Sequence, residues 1–264
     1  MIRFETGRVA SGDEEIYFEV AGDGDEVVVL GHGLGGNHAV WFQQVPVLGE
    51  RYRVVTWDQR GFGMSSNRAG ASGPPAAVND LRAVLDHLSI ERAHLVGQSM
   101  GGWAVVGFAL RSPERVRSIV LADTIAGIGN EAIGAAMRTP SGRVVEPGVV
   151  GAHRAVGPSF DRTPAFLYQQ LGGFRTDLDE ADMIGKLFST HHAADDVSRL
   201  AVPVLCIVGS EDDLMPPAAI REVAAVFRDA RVVEIAGAGH SPYFERPDEW
   251  NAAVLDFLGS LERG

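Results

Sequence analysis

Short apolar runs recur along the chain, separated by longer segments in which apolar residues return at helical spacing. Most runs are rich in Val, Ile and Leu and end near Gly, Asp or Ala, which is typical of strands buried on both faces of a sheet. This pattern predicts strands over 16–20, 27–30, 53–57, 94–96, 116–121, 204–208 and 231–235. Helical spacing predicts helices over 75–88, 100–110, 219–227 and 248–261. Because strands and helices alternate, we predict an α/β fold with a mostly parallel sheet.

One stretch interrupts this alternation. Between residues 124 and 200 the sequence has helical pieces, several Gly and Pro, and a turn signal at Thr139-Pro140-Ser141-Gly142, but no strong strand run. We therefore predict a core formed by residues 1–123 and 201–264, with 124–200 inserted as a helical cap over the carboxyl ends of the strands. A chain of 264 residues suits one such folding unit.

A turn suited to a nucleophile follows the predicted strand at 94–96. The sequence Gly97-Gln98-Ser99-Met100-Gly101 leads from that strand directly into a helix. A sharp strand-to-helix turn needs small residues two positions before and two after its apex, because a Cβ there would collide with the neighbouring backbone. Ser99, at the apex, is therefore the predicted nucleophile.

A serine hydroxyl needs a base within hydrogen-bond reach, and the base needs a carboxylate to orient it. Of the eight histidines, His240 is the one in the loop between the last predicted strand and the final helix. A loop at the carboxyl end of a strand can carry an imidazole over the turn at Ser99. We predict that His240 is the base.

The orienting acid is expected at the same edge of the sheet. The strand at 204–208 ends in Gly209-Ser210-Glu211-Asp212-Asp213. We favour Asp212, with Asp213 and then Glu211 as alternatives. Asp123, which follows the strand at 116–121, is a further candidate, although an acid in such a position more often caps a helix or turn.

Negative charge that develops on a substrate oxygen needs N–H donors aimed at it. The backbone N–H of Met100, directly after Ser99, is one natural donor. A second donor is expected from the glycine-rich loop after the strand at 27–30, and we assign it to the N–H of Leu34. Glycines on both sides of Leu34 let the backbone turn toward a substrate.

The same loop fits the dinucleotide fingerprint Gly31-x-Gly33-x-x-Gly36. That fingerprint normally opens the first βαβ unit and is followed about 20 residues later by an acid at the end of the next strand. Here a strand-like segment precedes the unit, and the next strand-end acid, Asp58, lies inside the motif Asp58-Gln59-Arg60-Gly61-Phe62-Gly63. We therefore set dinucleotide binding aside.

Composition argues against several classes of partner. The chain has 23 basic and 35 acidic side chains, a net charge of -12, and no basic block, so we expect neither nucleic acid nor an anionic membrane as a partner. The first twenty residues lack the apolar segment of a signal peptide, and no run of about 18 apolar residues follows. We expect a cytoplasmic protein. The single Cys206 lies in an apolar run and is expected to be a small buried hydrophobe.

Four motifs, in this order, resemble those of the α/β-hydrolase superfamily. They are His32-Gly33-Leu34-Gly35-Gly36, Asp58-Gln59-Arg60-Gly61-Phe62-Gly63-Met64-Ser65, Gly97-Gln98-Ser99-Met100-Gly101-Gly102 and Gly239-His240. The resemblance covers nearly the whole chain. It implies an α/β-hydrolase fold with an eight-stranded, mostly parallel sheet flanked by helices, a helical cap over the site, and no cofactor; we expect no metal either. In such proteins residues at the positions of Asp58 and Arg60 are structural.

Within the superfamily the sequence is similar to small-molecule esterases, to enol-lactonases and to carbon-carbon hydrolases of aromatic breakdown. A serine nucleophile argues against the haloalkane dehalogenases and epoxide hydrolases, which use aspartate. The carbon-carbon hydrolases usually carry a Gly-Gly-Gly-Pro-Gly type loop where this chain has Gly33-Leu34-Gly35-Gly36-Asn37. We therefore rank hydrolysis of a small carboxylic ester or lactone through an acyl-enzyme first, carbon-carbon hydrolysis second and a non-catalytic ligand receptor third.

Two tryptophans are candidates for binding a small-molecule substrate. Trp41 follows the glycine-rich loop, and Trp103 lies in the helix that begins after Ser99. We predict that both line an apolar pocket, although aromatic residues at such spacings are more often plain core. A homodimer is left open by the sequence.

Overall fold

The computed structural model describes residues 2–138, 145, 149–174 and 178–262. Its main sheet has eight strands in the order β1-β2-β4-β3-β5-β6-β9-β10, and β7 and β8 form a separate small pair. The strands are β1 (Phe4–Ser11), β2 (Glu14–Ala21), β3 (Val27–Gly31), β4 (Arg53–Trp57), β5 (Ala93–Gln98), β6 (Val116–Ala122), β7 (Ile128–Gly129), β8 (His192–Ala193), β9 (Val204–Gly209) and β10 (Ala230–Ile235). In the main sheet β2 is antiparallel to both β1 and β4, and all other neighbours are parallel. The predicted eight-stranded, mostly parallel sheet is confirmed.

Helices flank this sheet, as predicted. They are α1 (Val45–Leu48), α2 (Pro74–His87), α3 (Gly101–Arg111), α4 (Glu131–Met137), α5 (Arg162–Gly172), α6 (Glu180–Ser189), α7 (Ala194–Val197), α8 (Pro217–Val226), α9 (Pro242–Glu245) and α10 (Pro247–Leu261). Among the described residues, no helix combines the length and apolar character needed to span a membrane.

The central strands are buried on both faces, and each face has its own hydrophobic layer. On β3, Val27 and Val29 belong to the cluster that includes residues of α2, α3 and α8, whereas Val28 and Leu30 pack with residues of α10. Side chains alternate between the two faces of a strand, so a strand covered on both sides must be apolar throughout. The continuous apolar runs in the sequence have this physical origin. Cys206 on β9 is part of the first layer, and burial raises the pKa of its thiol to about 12.

The first strand was missed by the sequence analysis. β1 forms the edge of the sheet, pairs with β2 alone, and most of its residues are exposed. An edge strand with solvent on its faces needs no continuous apolar run. The two strands are joined by a two-residue turn in which Gly12 has φ +62°, a conformation that glycine adopts without steric cost.

The segment 124–200, which we call the cap, connects β6 to β9. It contains α4, α5, α6 and α7 together with β7 and β8, which pair in parallel. These two-residue strands were not predicted, since two residues cannot show a hydrophobic period. The predicted turn at 139–142 lies outside the described residues.

Candidate active site

Ser99 lies at a sharp turn between β5 and α3. Its backbone is in the left-handed region with φ +47°, which is strained for a residue with a Cβ. Hydrogen bonds hold this conformation: Ser99 N donates to Ala122 O at 2.9 Å, and Thr124 Oγ1 donates to Ser99 O at 2.7 Å. A Cβ at Gly97 would lie 2.7 Å from the Gly101 backbone, and one at Gly101 would lie 2.4 Å from Gly31 O. The two glycines that the turn was predicted to need are therefore required by close backbone contacts.

The loop after β10 brings His240 onto this turn. His240 Nε2 lies 2.9 Å from Ser99 Oγ, and His240 Nδ1 lies 2.8 Å from Asp212 Oδ2. All three residues are buried, with exposures of 4–8%. The structure thus brings together the three residues that the sequence analysis selected, in the order hydroxyl, imidazole and carboxylate.

Asp212 is distinguished from the other candidate acids by its contacts. Its Oδ1 accepts hydrogen bonds from Leu214 N at 2.8 Å and Met215 N at 3.0 Å, which leaves Oδ2 for the imidazole. Glu211 instead accepts a hydrogen bond from Ser159 Oγ. The Asp213 carboxylate has no hydrogen-bond partner in the described part of the chain.

Asp123 lies beside this group without replacing Asp212. It follows β6, is fully buried, and its Oδ1 accepts a hydrogen bond from Gly209 N at 3.0 Å. Burial and then the negative charge of Asp212 raise the pKa of Asp123 well above its ordinary value. The two carboxyl groups come from the ends of neighbouring strands, β6 and β9.

A glutamate that the sequence analysis missed holds the loop around His240. The Glu245 carboxylate accepts hydrogen bonds from Gly239 N and Ser241 N, which flank the histidine, and from Gly157 N of the cap. Burial raises the pKa of Glu245, while these backbone N–H groups act in the opposite direction. The Ser241 hydroxyl also donates to the Tyr168 hydroxyl of α5 at 2.9 Å. No spacing in the sequence signals the contacts with Gly157 and Tyr168, because they join segments far apart in the chain.

The two predicted oxyanion donors both border the space above Ser99. Leu34 and Met100 line the same cavity as Ser99 and His240. Neither backbone N–H donates a hydrogen bond within the described residues. A Cβ at Gly33 would lie 2.1 Å from Gln98 Oε1 and 3.0 Å from Ser99 Cβ. The glycine thus lets the loop that carries Leu34 approach the turn closely.

A cavity of about 300 Å³ opens over Ser99. Trp103 lines it, as predicted, and its indole N–H donates to Leu187 O and Thr190 O of the cap. The prediction that Trp41 lines the pocket is wrong. Trp41 is fully buried on the other face of the sheet, where its ring packs against Tyr243 and Trp250.

The cap supplies half of the cavity wall. Its contribution includes Arg154, Tyr168, Glu180, Ile184, Leu187 and Phe188. The sequence analysis did not single out Ile184, Leu187 or Phe188. Their spacing of three and four residues on α6 places them on one helix face, so this pattern was present in the sequence. It could not show whether that face meets core or substrate.

The remaining loop motifs are structural. Asp58 accepts hydrogen bonds from the backbone N–H groups of His38 and Met64 and contacts the His38 imidazole at 2.8 Å. Arg60 pairs with the buried Asp80. After the glycine-rich loop the chain enters a 3₁₀ helix of four residues, His38–Trp41. A dinucleotide fingerprint needs the N-terminus of a long α-helix to bind the pyrophosphate, and this element is too short to provide one.

One group of side chains among the described residues has the composition of a metal site. Single ligand-type atoms of Asp123, Asp212 and His240 lie within 4.8 Å of one another. Both ring nitrogens of His240, however, already contact Ser99 and Asp212. A cation bound to this imidazole would have to displace one of those contacts.

These features define the class of protein as an α/β hydrolase, and comparison with known proteins agrees. The model of the alpha/beta hydrolase family matches residues 27–253, so the chain belongs to that family. A thermophilic esterase from Thermogutta terrifontis has the same fold, with a TM-score of 0.81 at 23% identity over 97% of this chain and 99% of its own.

Several curated relatives are named as hydrolytic enzymes. The chain is 31% identical to a 2-hydroxy-6-oxononadienedioate/2-hydroxy-6-oxononatrienedioate hydrolase of Cupriavidus pinatubonensis, over 98% of this chain and 95% of the relative. It is 28% identical to a provisionally named carbamate hydrolase of Azorhizobium caulinodans (96% and 98%). It is 27% identical to 3-oxoadipate enol-lactonase 2 of Acinetobacter baylyi (92% and 92%). The protein is a hydrolase of the α/β-hydrolase fold.

Proposed function

We propose that this hydrolase cleaves a small carboxylic ester or lactone through an acyl-enzyme formed on Ser99. The observation that carries the proposal is the continuous contact from Ser99 Oγ to His240 Nε2 and from His240 Nδ1 to Asp212 Oδ2, at 2.9 and 2.8 Å. When Nδ1–H donates its hydrogen bond to Asp212, Nε2 carries no proton and can act as the base. This arrangement can take a proton from the serine hydroxyl as its oxygen attacks a carbonyl carbon.

The mechanism follows from these contacts. Ser99 Oγ bonds to the carbonyl carbon while His240 Nε2 takes the hydroxyl proton, and the oxyanion lies between the N–H groups of Leu34 and Met100. The imidazolium then returns its proton to the leaving oxygen as the ester bond breaks. Water, deprotonated by His240, attacks the acyl-enzyme, and the imidazolium returns that proton to Ser99 Oγ as the acyl bond breaks and the acid is released. A lactone follows the same steps, but its leaving hydroxyl stays attached to the acyl chain.

The cavity favours a small and largely apolar acyl group. Its volume is about 300 Å³, and Trp103, Ile184, Leu187, Phe188 and Met215 form its apolar wall. An adjoining cavity of about 340 Å³ shares Leu34, His153, Tyr168 and Glu180 with the first. The second cavity offers room for the leaving group. Because residues of the cap line both cavities, the cap acts as the lid that selects the substrate.

Carbon-carbon hydrolysis is the second candidate, favoured by the 31% identity to the Cupriavidus hydrolase. The same three residues would serve that reaction, but the substrate would first be a dienol that becomes a ketone. A stopped-flow trace with a ring-fission dienol distinguishes the two functions, since only a carbon-carbon hydrolase would show a ketonised intermediate before cleavage.

The test is hydrolysis of p-nitrophenyl esters of increasing chain length, a lactone panel and a small carbamate. We expect turnover on short esters or lactones, together with fluorophosphonate labelling of Ser99 located by peptide mass spectrometry. Labelling without ester or lactone turnover would favour the carbon-carbon or carbamate reaction. A folded protein that is not labelled would contradict the serine mechanism and favour a ligand receptor.

A further inference from the structure

A second carboxyl group lies beside Ser99, His240 and Asp212, and its position is not explained by a need to orient the imidazole. Asp123 is fully buried directly after β6, beside the end of β9, and Asp212 lies in the loop that follows β9. One oxygen of Asp123 lies within 4.8 Å of an oxygen of Asp212 and of a ring nitrogen of His240. The sheet thus holds two carboxyl groups next to each other, away from water.

The hydrogen bonds of the pair are unequal. Asp212 accepts two backbone N–H groups and the imidazole, so both of its oxygens have donors. Asp123 accepts one backbone N–H, from Gly209, on Oδ1, and its buried Oδ2 has no partner among the described residues. A charged oxygen without a donor in a buried site is costly, whereas a protonated oxygen needs only an acceptor.

The surrounding charges also favour a protonated Asp123. The ionisable groups that act most strongly on Asp123 are the carboxyl groups of Asp212 and Glu245, and Tyr168 and Tyr243 also face this region. Two adjacent buried carboxyl groups cannot both ionise cheaply, so one of them keeps its proton. Asp212 has the donors that stabilise a carboxylate. Asp123 is therefore the member that stays protonated.

We propose that Asp123 is a neutral carboxylic acid whose O–H donates a hydrogen bond to the Asp212 carboxylate, and that it is thereby a positioning residue for the catalytic pair Asp212 and His240. Its kinetic consequence rests on the proposed serine mechanism, but its protonation state does not. The O–H donor restrains Asp212 and withdraws electron density from it. A less basic carboxylate stabilises the imidazolium less, so loss of the O–H donor should favour the protonated form of His240.

The backbone allows clean substitutions at this position. Asp123 has φ +50°, a conformation that Asn and Gly adopt readily and bulkier residues do not. In Asp123→Asn, the amide oxygen can accept the Gly209 N–H while the amide N–H donates to Asp212. In Asp123→Gly, both hydrogen bonds are lost without backbone strain.

The direct test is the difference infrared spectrum of wild type minus Asp123→Asn near neutral pH. We expect a carbonyl stretch of a neutral carboxylic acid that is lost in the variant. Absence of that band from the difference spectrum would overturn the proposal. Glu245→Gln is the matched control, because Glu245 is also a buried carboxyl group with a raised pKa. Any neutral-acid band that it removes must differ from the band removed by Asp123→Asn.

The pH dependence of kcat/KM, with fluorophosphonate labelling rates in parallel, tests the positioning role. Asp123→Asn should keep activity within about threefold and leave the acid limb in place, because one neutral donor replaces another. If Asp123 were instead an anion, its loss would move the acid limb to lower pH by about one unit or more. That shift would contradict the proposal.

Asp123→Gly should lower kcat/KM about tenfold, the usual effect of losing a hydrogen bond to a charged group, and should move the acid limb to higher pH. A lower kcat/KM with an unmoved acid limb would show that Asp123 has only a structural role.

The two proposals can fail separately. If Ser99→Ala retained full turnover, the proposed function would fail, whereas the infrared test of the Asp123 protonation state would not be affected.

Discussion

The carboxyl edge of the sheet and the cap above it are built differently. At the sheet edge each functional group is fixed by several short contacts: the turn at Ser99 by two hydrogen bonds and two glycines, and Asp212 by two backbone donors and an imidazole. The cap wall consists largely of side chains on short helices, and two of them, Ile184 and Phe188, are at least 40% exposed. In the proposed function the chemistry depends on the closely contacted edge, whereas substrate choice depends on a wall that single substitutions can reshape.

The largest effect at the sheet edge is expected from removing the proposed nucleophile, Ser99. Ser99→Ala should reduce kcat by about 10⁴-fold or more, because the imidazole then has no hydroxyl to activate. The melting temperature should change little, since the backbone contacts of Ser99 remain. Steady-state hydrolysis of the best ester measures the loss. Ser189→Ala, at an exposed position on α6, should behave as wild type, and comparable activity in the two variants would exclude Ser99 as nucleophile.

A substitution that crowds the backbone at the same edge should lower the free energy of unfolding. In Gly97→Ala the new Cβ would lie 2.7 Å from the Gly101 backbone, so the turn must shift, at a cost of about 3 kcal/mol. Denaturant unfolding measures this loss. Gly185→Ala is the matched control in the cap: nothing lies within 4 Å of its new Cβ, and helix propensity should stabilise the variant by about 0.5–1 kcal/mol. Equal changes in unfolding free energy in the two variants would show that the sheet edge is no more closely packed than the cap.

Burial of Asp123 makes the free energy of unfolding depend on pH. A carboxyl group whose pKa is raised on folding holds its proton more tightly in the folded state. The protein therefore loses stability as pH rises from the unfolded pKa toward the folded one. Asp123→Asn removes that loss, so its stability relative to wild type should grow as pH rises above about 4, the ordinary pKa of Asp, by up to about 1.4 kcal/mol per pH unit. Urea unfolding across this range measures the trend.

The control for that trend is Asp229→Asn, at an exposed position between α8 and β10. Its stability relative to wild type should stay nearly constant with pH, because solvent screens an exposed carboxyl group. A constant difference for Asp123→Asn as well would mean that its carboxyl group ionises equally in the folded and unfolded states.

The same contrast separates what the sequence could predict from what it could not. Ser99, His240 and Asp212 were found because each follows a strand, and parallel strands end at one edge of a sheet. Gly97 and Gly101 were found because a close backbone approach admits no other residue. These constraints act within a few residues of the chain, so they restrict the residue types there and can be recognised in the sequence.

Glu245 and the location of Trp41 depend instead on segments that meet only after folding. Glu245 joins the His240 loop to Gly157 of the cap, 88 positions away. Trp41 follows the glycine-rich loop but turns into the opposite hydrophobic layer. Both outcomes depend on how helices pack across the sheet, and neither short spacing nor residue type encodes that.

The smallest effect is expected at the cap wall, where a single side chain should alter selectivity rather than catalysis. Phe188 lines the cavity, is 47% exposed, and its ring meets that of Trp103 at 6.2 Å between centroids. Phe188→Ala should widen the cavity and shift the ratio of kcat/KM between long and short acyl esters about tenfold toward the longer chain, the range that one or two methylene contacts supply. The p-nitrophenyl ester series measures this ratio.

The matched control is Phe166→Ala on α5. Phe166 is similarly exposed, at 40%, but does not line the cavity. Both substitutions remove a similarly exposed phenyl ring from the cap, so a general loosening of the cap would affect the two variants alike. An altered chain-length preference in Phe188→Ala alone would assign selectivity to the α6 wall. The same shift in both variants, or a fall in kcat without a change in preference, would show that the cap acts on the sheet edge itself, and the contrast between the two regions would be lost.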